Sequence, residues 1–159
     1  MAFDITTTIN MVASFLEKRG EYTNVQIGEP KSPPVGDLSA AVFVASASVV
    51  GLTLQTTIEI HEITVRLYRN MLEEPEEDNE IRISQAVTGI VSDLLGDYDL
   101  GASIRNIAVG EYGQSLSATY GYLDLGGTMY RMVDITVPLL VDGSATPVKE
   151  GDIWQNKAV

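Results

Sequence analysis

The chain has no cysteine and few basic residues, and both shortages narrow what it can do. Without Cys among its 159 residues, disulfides, thiolate catalysis and cysteine-based zinc sites are excluded. Lys and Arg together number 10 against 22 Asp and Glu, which gives a formal net charge of −12. Binding to nucleic acid or to an anionic membrane surface depends on clustered basic residues. The composition therefore argues against both partners.

Several sequence signals of location and chemistry are also missing. The longest apolar stretch, Leu38 to Leu54, is interrupted by Ser and Gly, so we expect no membrane span. The N-terminus lacks the basic region and apolar core of a secretory signal, so we expect synthesis in the cytoplasm. No GxGxxG, GxSxG or Walker A motif occurs. We therefore expect a protein that is not an enzyme and that carries no cofactor.

The residues that could carry chemistry lack partners at useful spacings. His61 is the only histidine, and its acidic neighbours Glu59 and Glu62 are too close in sequence to indicate a catalytic or metal site. Asp97 and Asp99 lack the spaced oxygens and the closing Glu of a calcium loop. We predict no catalytic residue and no metal ligand. An acidic run is interpreted as charged surface rather than as a pair of catalytic carboxylates, and its members are Glu73, Glu74, Glu76 and Glu77.

The order of predicted elements gives the fold class. Apolar spacing predicts a helix from Asp4 to Arg19, capped by Asp4 and stopped by Gly20, and a second helix from Ser84 to Gly96. Strands follow one another without alternating helices, which predicts an α+β fold: a mainly antiparallel sheet with two helices packed on one face. Residues 1–142 are predicted to form one domain, followed by an extension over 143–159. The predicted strands are Tyr22–Ile27, Leu38–Val50, Thr53–Tyr68, Ile104–Val109, Leu116–Leu125 and Thr128–Val141, the last two joined by Gly126 and Gly127.

Two of these strands depart from simple alternation. In Thr57 to Tyr68 the apolar residues move from even to odd positions near His61, which predicts a β-bulge or a bend there. Leu38 to Val50 is apolar on both faces, so it is either covered on both sides or docked on a partner. Pro138 predicts an edge strand or the fading end of a strand.

The candidate interface residues lie around the last hairpin and in two unpatterned segments. Arg131 interrupts an apolar strand face, so we predict a buried or interfacial cation with an acidic partner. Tyr120, Tyr122 and Tyr130 indicate either sheet packing or an interface in which tyrosine anchors a partner. The segments Leu72–Glu80 and Gly143–Val159, the latter with Trp154, are predicted to act in docking or else to be solvated loop and frayed terminus.

About half of the chain resembles a known family. HEITVRLYRNM is followed by an acidic linker and a helix ending VSDLLGDYDLGASIRNI, and then by YGYLDLGGTMYRMVDITVPLLV. The order of these pieces is similar to that in the tail terminator proteins of long-tailed bacteriophages. The similarity lies in a strand ending in R-x-Y, a helix leading to a G-D-Y-D-L-G turn, and a Tyr-Gly-Tyr strand turning into Y-R-M-V-D-I-T-V-P.

This resemblance implies a structural virion protein. Members of that family form a hexameric ring that caps the tail tube, stops its polymerisation and presents a docking surface to the head-side connector. The implied partners are further copies of the chain, the tail tube protein and the connector protein, while DNA passes through the lumen without specific binding. The implied location is the virion tail, after assembly in the host cytoplasm. The alternatives are another head–tail connector, head-completion or tail-tube component, and an enzyme or ligand-binding domain of unfamiliar type.

Overall fold

The computed structural model describes residues 4–31, 37–71, 76–97, 100 and 104–144. Each of its two helices is followed by a block of three successive strands, as in an α+β fold, and its sheet has six strands. The helices are α1 (Ile5–Arg19) and α2 (Glu76–Gly96), with a short 3-10 turn at Glu111–Gly113. The strands are β1 (Asn24–Ile27), β2 (Leu38–Leu52), β3 (Thr56–Asn70), β4 (Asn106–Ile107), β5 (Ser117–Leu125) and β6 (Thr128–Ser144).

Helix α1 begins and ends where the sequence predicts. The carboxylate of Asp4 accepts a hydrogen bond from the Thr7 N–H at 2.7 Å, which satisfies one of the free donors of the first turn. At the other end Gly20 adopts a left-handed conformation with φ 69°, and its N–H donates to the Glu17 carbonyl. The predicted cap and stop of this helix are therefore confirmed.

Helix α2 is longer than its predicted span. It begins at Glu76 and not at Ser84, so the second half of the acidic segment Leu72–Glu80 is helical and not a loop. Acidic side chains in a first helical turn interact favourably with the positive end of the helix dipole, which explains why this charged run can start a helix. The predicted end at Gly96 is confirmed.

The sheet is mainly antiparallel, and β3 lies at its centre. The strand order is β1-β2-β3-β6-β4, with β5 also paired to β6. Only the β1–β2 pair is parallel. Strand β3 pairs with β6 along its whole length, and on its other side β6 pairs first with β5 and then with β4. The predicted Gly126-Gly127 hairpin is confirmed, with both glycines at positive φ between β5 and β6.

Pro138 lies inside β6 and not at an edge or a strand end. It lies opposite Glu62 on β3, while its carbonyl accepts from the Ala108 N–H on the opposite side at 2.9 Å. The backbone N of Pro138 therefore points away from β3, into the gap where β6 changes partner from β5 to β4. The missing N–H costs no hydrogen bond of the β3–β6 ladder.

The bulge predicted for β3 is not there; the bulges lie on β2. Strand β3 pairs with β6 without interruption, and the register shifts lie on β2, between Val44 and Ser46 and between Val49 and Gly51. The apolar residues of β3 shift from even to odd positions along the strand because each face of β3 is covered by a different cluster. Ile63 belongs to the main core, whereas Ile60 belongs to a separate cluster with Ala108 and Leu140.

The main hydrophobic core joins both helices to three central strands. Val12 and Leu16 of α1 and Ile83 and Ile90 of α2 belong to the same buried cluster as the inner residues of β2, β3 and β6. Strand β2 contributes only its first half to this core. Leu38 to Val42 are buried, whereas most of the strand beyond Val42 is exposed. We call the hairpin formed by the rest of β2 and the start of β3, Val44–Ile58, the arm.

Candidate interaction surfaces

The arm exposes apolar side chains and carries no charge. Val49 is 60% exposed, Leu52 72% and Leu54 94%. The chain between Asp37 and Glu59 contains no Asp, Glu, Lys or Arg, and this is the longest uncharged stretch of a protein with net charge −12. Scattered apolar residues are normal on a surface, but a group of exposed apolar residues without charge among them is typical of an interaction site.

The outer edge of the arm is also unpaired within the described part of the chain. Strand β1 covers only Ser39 to Val42 of β2, so no described strand pairs with the section from Val44 to Leu52, which we call the β2 edge. Exposed strand edges are templates for pairing with another chain, and natural proteins usually protect them with charged residues or proline. The β2 edge has neither kind of protection.

A chain of polar contacts ties the arm to helix α1. His61 is 2% exposed, and its Nδ1 lies 2.8 Å from the hydroxyl of Thr8, which is fully buried. Its Nε2 lies 3.4 Å from the carboxylate of Glu59, which in turn accepts from the Thr57 hydroxyl at 2.9 Å. Because both His61 and Thr8 are buried, this cluster positions the root of the arm and is closed to a substrate.

Replacing Thr8 with valine tests this connection. We expect Thr8→Val to lower the free energy of unfolding by about 1–3 kcal/mol, because it leaves a buried ring nitrogen of His61 without its partner. Thr6 is the matched control, since it lies exposed in the same helical turn. Denaturant unfolding of Thr8→Val and Thr6→Val measures both effects. Equal stability of the two variants would show that the Thr8–His61 contact contributes nothing.

A second surface lies near the opposite edge of the sheet, around Arg131. Its guanidinium makes a two-point contact with the Glu80 carboxylate on α2, at 2.8 and 3.0 Å. A further bond at 3.0 Å goes to the Gly121 carbonyl on β5. The rings of Tyr120 and Tyr122 lie 5.3 and 4.7 Å from the guanidinium carbon, within the range of cation–π attraction. Arg131 therefore joins β5, β6 and α2, and Glu80 is its acidic partner.

The Arg131 side chain is 14% exposed and the Glu80 side chain 49% exposed. The hydrogen bond from Arg131 holds the pKa of the Glu80 carboxyl below its ordinary value of 4.5. A carboxyl whose pKa is lowered by folding stabilises the fold at pH values above 4.5, and that stabilisation is lost as the pH falls through the lowered pKa. Because Glu80 is half exposed, solvent screening keeps the contribution small.

Arg131→Ala is expected to destabilise the chain by about 1–2 kcal/mol at neutral pH, through loss of the ion pair and both ring contacts. Arg131→Lys is the matched variant, because it keeps the charge but cannot make the two-point contact. Urea unfolding between neutral and acidic pH measures both. The alanine variant should lose less stability on acidification than the unmodified chain. An identical acid response would show that the Glu80 contact does not stabilise the fold.

Exposed apolar and aromatic side chains surround this site. Tyr120 is 40% exposed, Tyr122 57%, Ile81 49% and Met129 44%. The strand that carries the tyrosines, β5, pairs only with β6, so its outer side, which we call the β5 edge, has no described strand beside it. The sequence from Tyr112 to Leu123 is uncharged. The β5 edge therefore shares with the β2 edge an open backbone and a lack of charge.

The structure separates the other predicted interface residues. Tyr130 is 3% exposed and packs edge-on against Tyr68 with ring centroids 5.8 Å apart, away from Tyr120 and Tyr122. Glu77 is exposed on α2, and Glu76 is the first residue of that helix. The remaining predicted interface residues, Glu73, Glu74 and Trp154, lie outside the described residues.

One polar cluster was missed by the sequence analysis. Arg66 on β3 makes a two-point contact with Asp134 on β6 at 2.8 and 3.0 Å, and its guanidinium carbon lies 5.2 Å from the centre of the Phe43 ring. The hydrogen bond to Asp134 raises the pKa of Arg66. Only the register that places Arg66 opposite Asp134 reveals the pair, and the sequence carries no signal for that register.

Searches for other kinds of site add two findings. In the described ranges, no three His, Cys, Asp or Glu side chains come together in a way that could hold a metal ion. Neither of the described helices is long and apolar enough to cross a membrane.

Comparison with known proteins gives no family. The sequence matches no protein-family model and has no significant match among curated proteins. The resemblance to tail terminator proteins therefore remains a hypothesis that depends on the quoted motifs. The surfaces described above can be judged independently of it.

Proposed function

We propose that the protein is a structural component of a bacteriophage tail, similar to a tail terminator. In this proposal it forms a closed, hexameric ring on the end of the tail tube. The ring stops tube polymerisation and offers a surface to the head-side connector. Both helices lie on one face of the sheet, so that the sheet edges remain free for contacts between copies.

The observation that carries the proposal is the uncharged, exposed arm. Copies of a chain with net charge −12 repel one another, so association is favoured through surfaces that contribute few acidic residues. The arm is such a surface, and Val49, Leu52 and Leu54 are among its most exposed apolar residues. Burying them against a neighbour removes apolar area from water, which favours association.

The acidic charge also suits a ring around DNA. Phosphates are repelled by carboxylates, so a lumen lined by an acidic protein lets DNA pass without binding to it. The excess of 22 acidic over 10 basic residues supports such passage. No reaction or cofactor forms part of the proposal.

A tail-tube protein is the main competing function, because it too would associate through free sheet edges. The two differ in growth: a tube protein stacks ring on ring, whereas a terminator makes one ring and stops. The purified chain should therefore be added to the tube protein of the same phage during polymerisation. Tubes that stop growing and carry this chain only at one end support the proposal. Tubes that contain the chain along their length, or that grow unchanged, contradict it.

A further inference from the structure

We propose that the β2 edge of one copy pairs with the β5 edge of the next copy, so that the sheet continues from chain to chain. This inference rests on the proposed ring, and it assigns the two surfaces that meet in it. The β2 edge comprises Val44–Leu52, and the β5 edge is the uncharged part of β5, Ser117–Leu123. The occupant of each edge is thus a second copy of this chain.

The lack of charge on both edges points to a second copy of the chain as the occupant. Both edges fall in uncharged stretches, between Asp37 and Glu59 for β2 and between Glu111 and Asp124 for β5. An isolated edge of this kind would normally be protected by charge against pairing. Here charged residues are missing from both edges of one sheet, although the chain as a whole is strongly acidic. A contact between two such edges places no carboxylate of one strand opposite a carboxylate of the other.

Strand direction fits this pairing. Strands β2 and β6 are both antiparallel to β3, so they run in the same direction, whereas β5 runs opposite to β6. Rotation about an axis along the strands keeps these directions. The β5 edge of a rotated copy therefore lies antiparallel to the β2 edge of its neighbour. Alternation of strand direction then continues without a break across the contact.

The pairing also explains why a ring and not a pair would form. A contact between two β2 edges, or between two β5 edges, joins two copies by a twofold axis and leaves the other edge open. A β2-to-β5 contact uses two different surfaces, so each copy has one of each to offer. Such head-to-tail contacts close into a ring when the rotation between copies allows it.

The backbone groups that would pair can be assigned from the register. The Ala108 N–H donates to the Pro138 carbonyl, so the even-numbered residues of β6 direct their backbone groups away from β3. Ala118 lies opposite the odd-numbered Ile135, and its backbone groups therefore point outward from β5. On β3 the odd-numbered residues direct their backbone groups toward β6. Val49 lies opposite the odd-numbered Glu59, so its own backbone groups point outward from β2.

The test combines two variants that each block one edge. Val49→Pro removes an outward donor from the β2 edge, and Ala118→Pro removes one from the β5 edge. Analytical ultracentrifugation is carried out up to about 1 mM, where a contact of only about 4 kcal/mol is half formed. We expect the unmodified chain to form rings and each variant alone to remain a single chain. An equal mixture should form a two-chain species, twice 17.2 kDa, and nothing larger.

Further variants cover the possibility that proline disturbs folding. Val49→Glu and Ser117→Glu add a carboxylate to each edge and leave the backbone donors in place, and they should behave as the proline pair does. Val109→Glu is the matched control, because Val109 is 53% exposed and lies on neither edge. It should assemble as the unmodified chain does.

Each other outcome overturns either the inference or the proposed function. Dimers of one blocked variant alone would show that like edges pair. No two-chain species in the mixture would show that the edges do not meet. Loss of stability without loss of association in Val49→Glu would show that the arm is packed inside its own chain. If both blocked variants still form rings, the β2-to-β5 pairing is wrong but the proposed function stands. If the unmodified chain forms open filaments and each blocking substitution abolishes them, the pairing stands but the proposed function is wrong.

Discussion

Replacing Val42 with alanine is expected to lower the free energy of unfolding by about 2 kcal/mol, from loss of about 0.8 kcal/mol per buried methylene plus the cavity left behind. The same change at Val49 is expected to leave stability unaltered within about 0.5 kcal/mol. Both residues belong to β2, but Val42 is fully buried whereas Val49 is 60% exposed. The identical chemical change therefore separates the core half of this strand from the arm.

Guanidinium unfolding of both variants measures this difference, and sedimentation of Val49→Ala measures its association. We expect Val49→Ala to weaken association, because part of the apolar area of the arm is removed. Equal destabilisation by the two substitutions would contradict the division of β2. It would mean that the arm is packed inside the folded chain.

The second large effect is expected at Asp134. Its side chain is 27% exposed and that of its partner Arg66 is 15% exposed, so the ion pair is largely withdrawn from water. Removing one partner of a buried pair leaves an uncompensated charge, at a cost of about 3–5 kcal/mol. Because the pair is only partly buried and Arg66 retains Glu29 at 3.4 Å, we expect Asp134→Ala to cost less than a fully buried pair would, about 2 kcal/mol.

Asp142 provides the matched control for this prediction. It lies on the same strand, 3.5 Å from Arg105, but both side chains are about half exposed. Exposed pairs contribute about 0.2–1 kcal/mol, so Asp142→Ala should change the free energy of unfolding little. Thermal and urea unfolding of the two variants give the comparison. Similar small effects at both positions would show that the Arg66–Asp134 pair does not brace β3 and β6.

The parts of the fold that depend on local signals could be predicted from the sequence. Asp4 and Gly20 mark the ends of α1 through capping chemistry that needs only neighbouring residues. The turn at Gly126 and Gly127 is likewise local, because only two residues connect β5 to β6. The mainly antiparallel sheet follows from the order of the elements.

The parts that depend on pairing between distant strands could not be predicted. The bulges lie on β2 and not on β3, because the apolar shift near His61 reflects which face each neighbour covers and not a change in register. Pro138 is tolerated inside β6 because the pairing with β5 ends at Thr136 and the pairing with β4 begins at Leu139. Neither relationship is visible in the pattern of one strand.

The candidate surfaces show the same division. Strand periodicity placed Arg131 on the apolar face of its strand, and the need of a guanidinium for a carboxylate predicted an acidic partner. That this partner is Glu80 depends on how α2 crosses the sheet. That Tyr120 and Tyr122 lie beside Arg131 depends on the register of β5 and β6. The burial of Tyr130 depends on its position opposite Asn70 and beside Tyr68, which only the three-dimensional register provides.

Native mass spectrometry of the purified chain over a range of concentrations tests the central claim, a closed ring, most directly. The proposal predicts one assembled species, a hexamer of the 17.2 kDa chain, whose size stays fixed as the concentration rises. A chain that remains a single copy throughout, or that forms a ladder of ever larger assemblies, would contradict it.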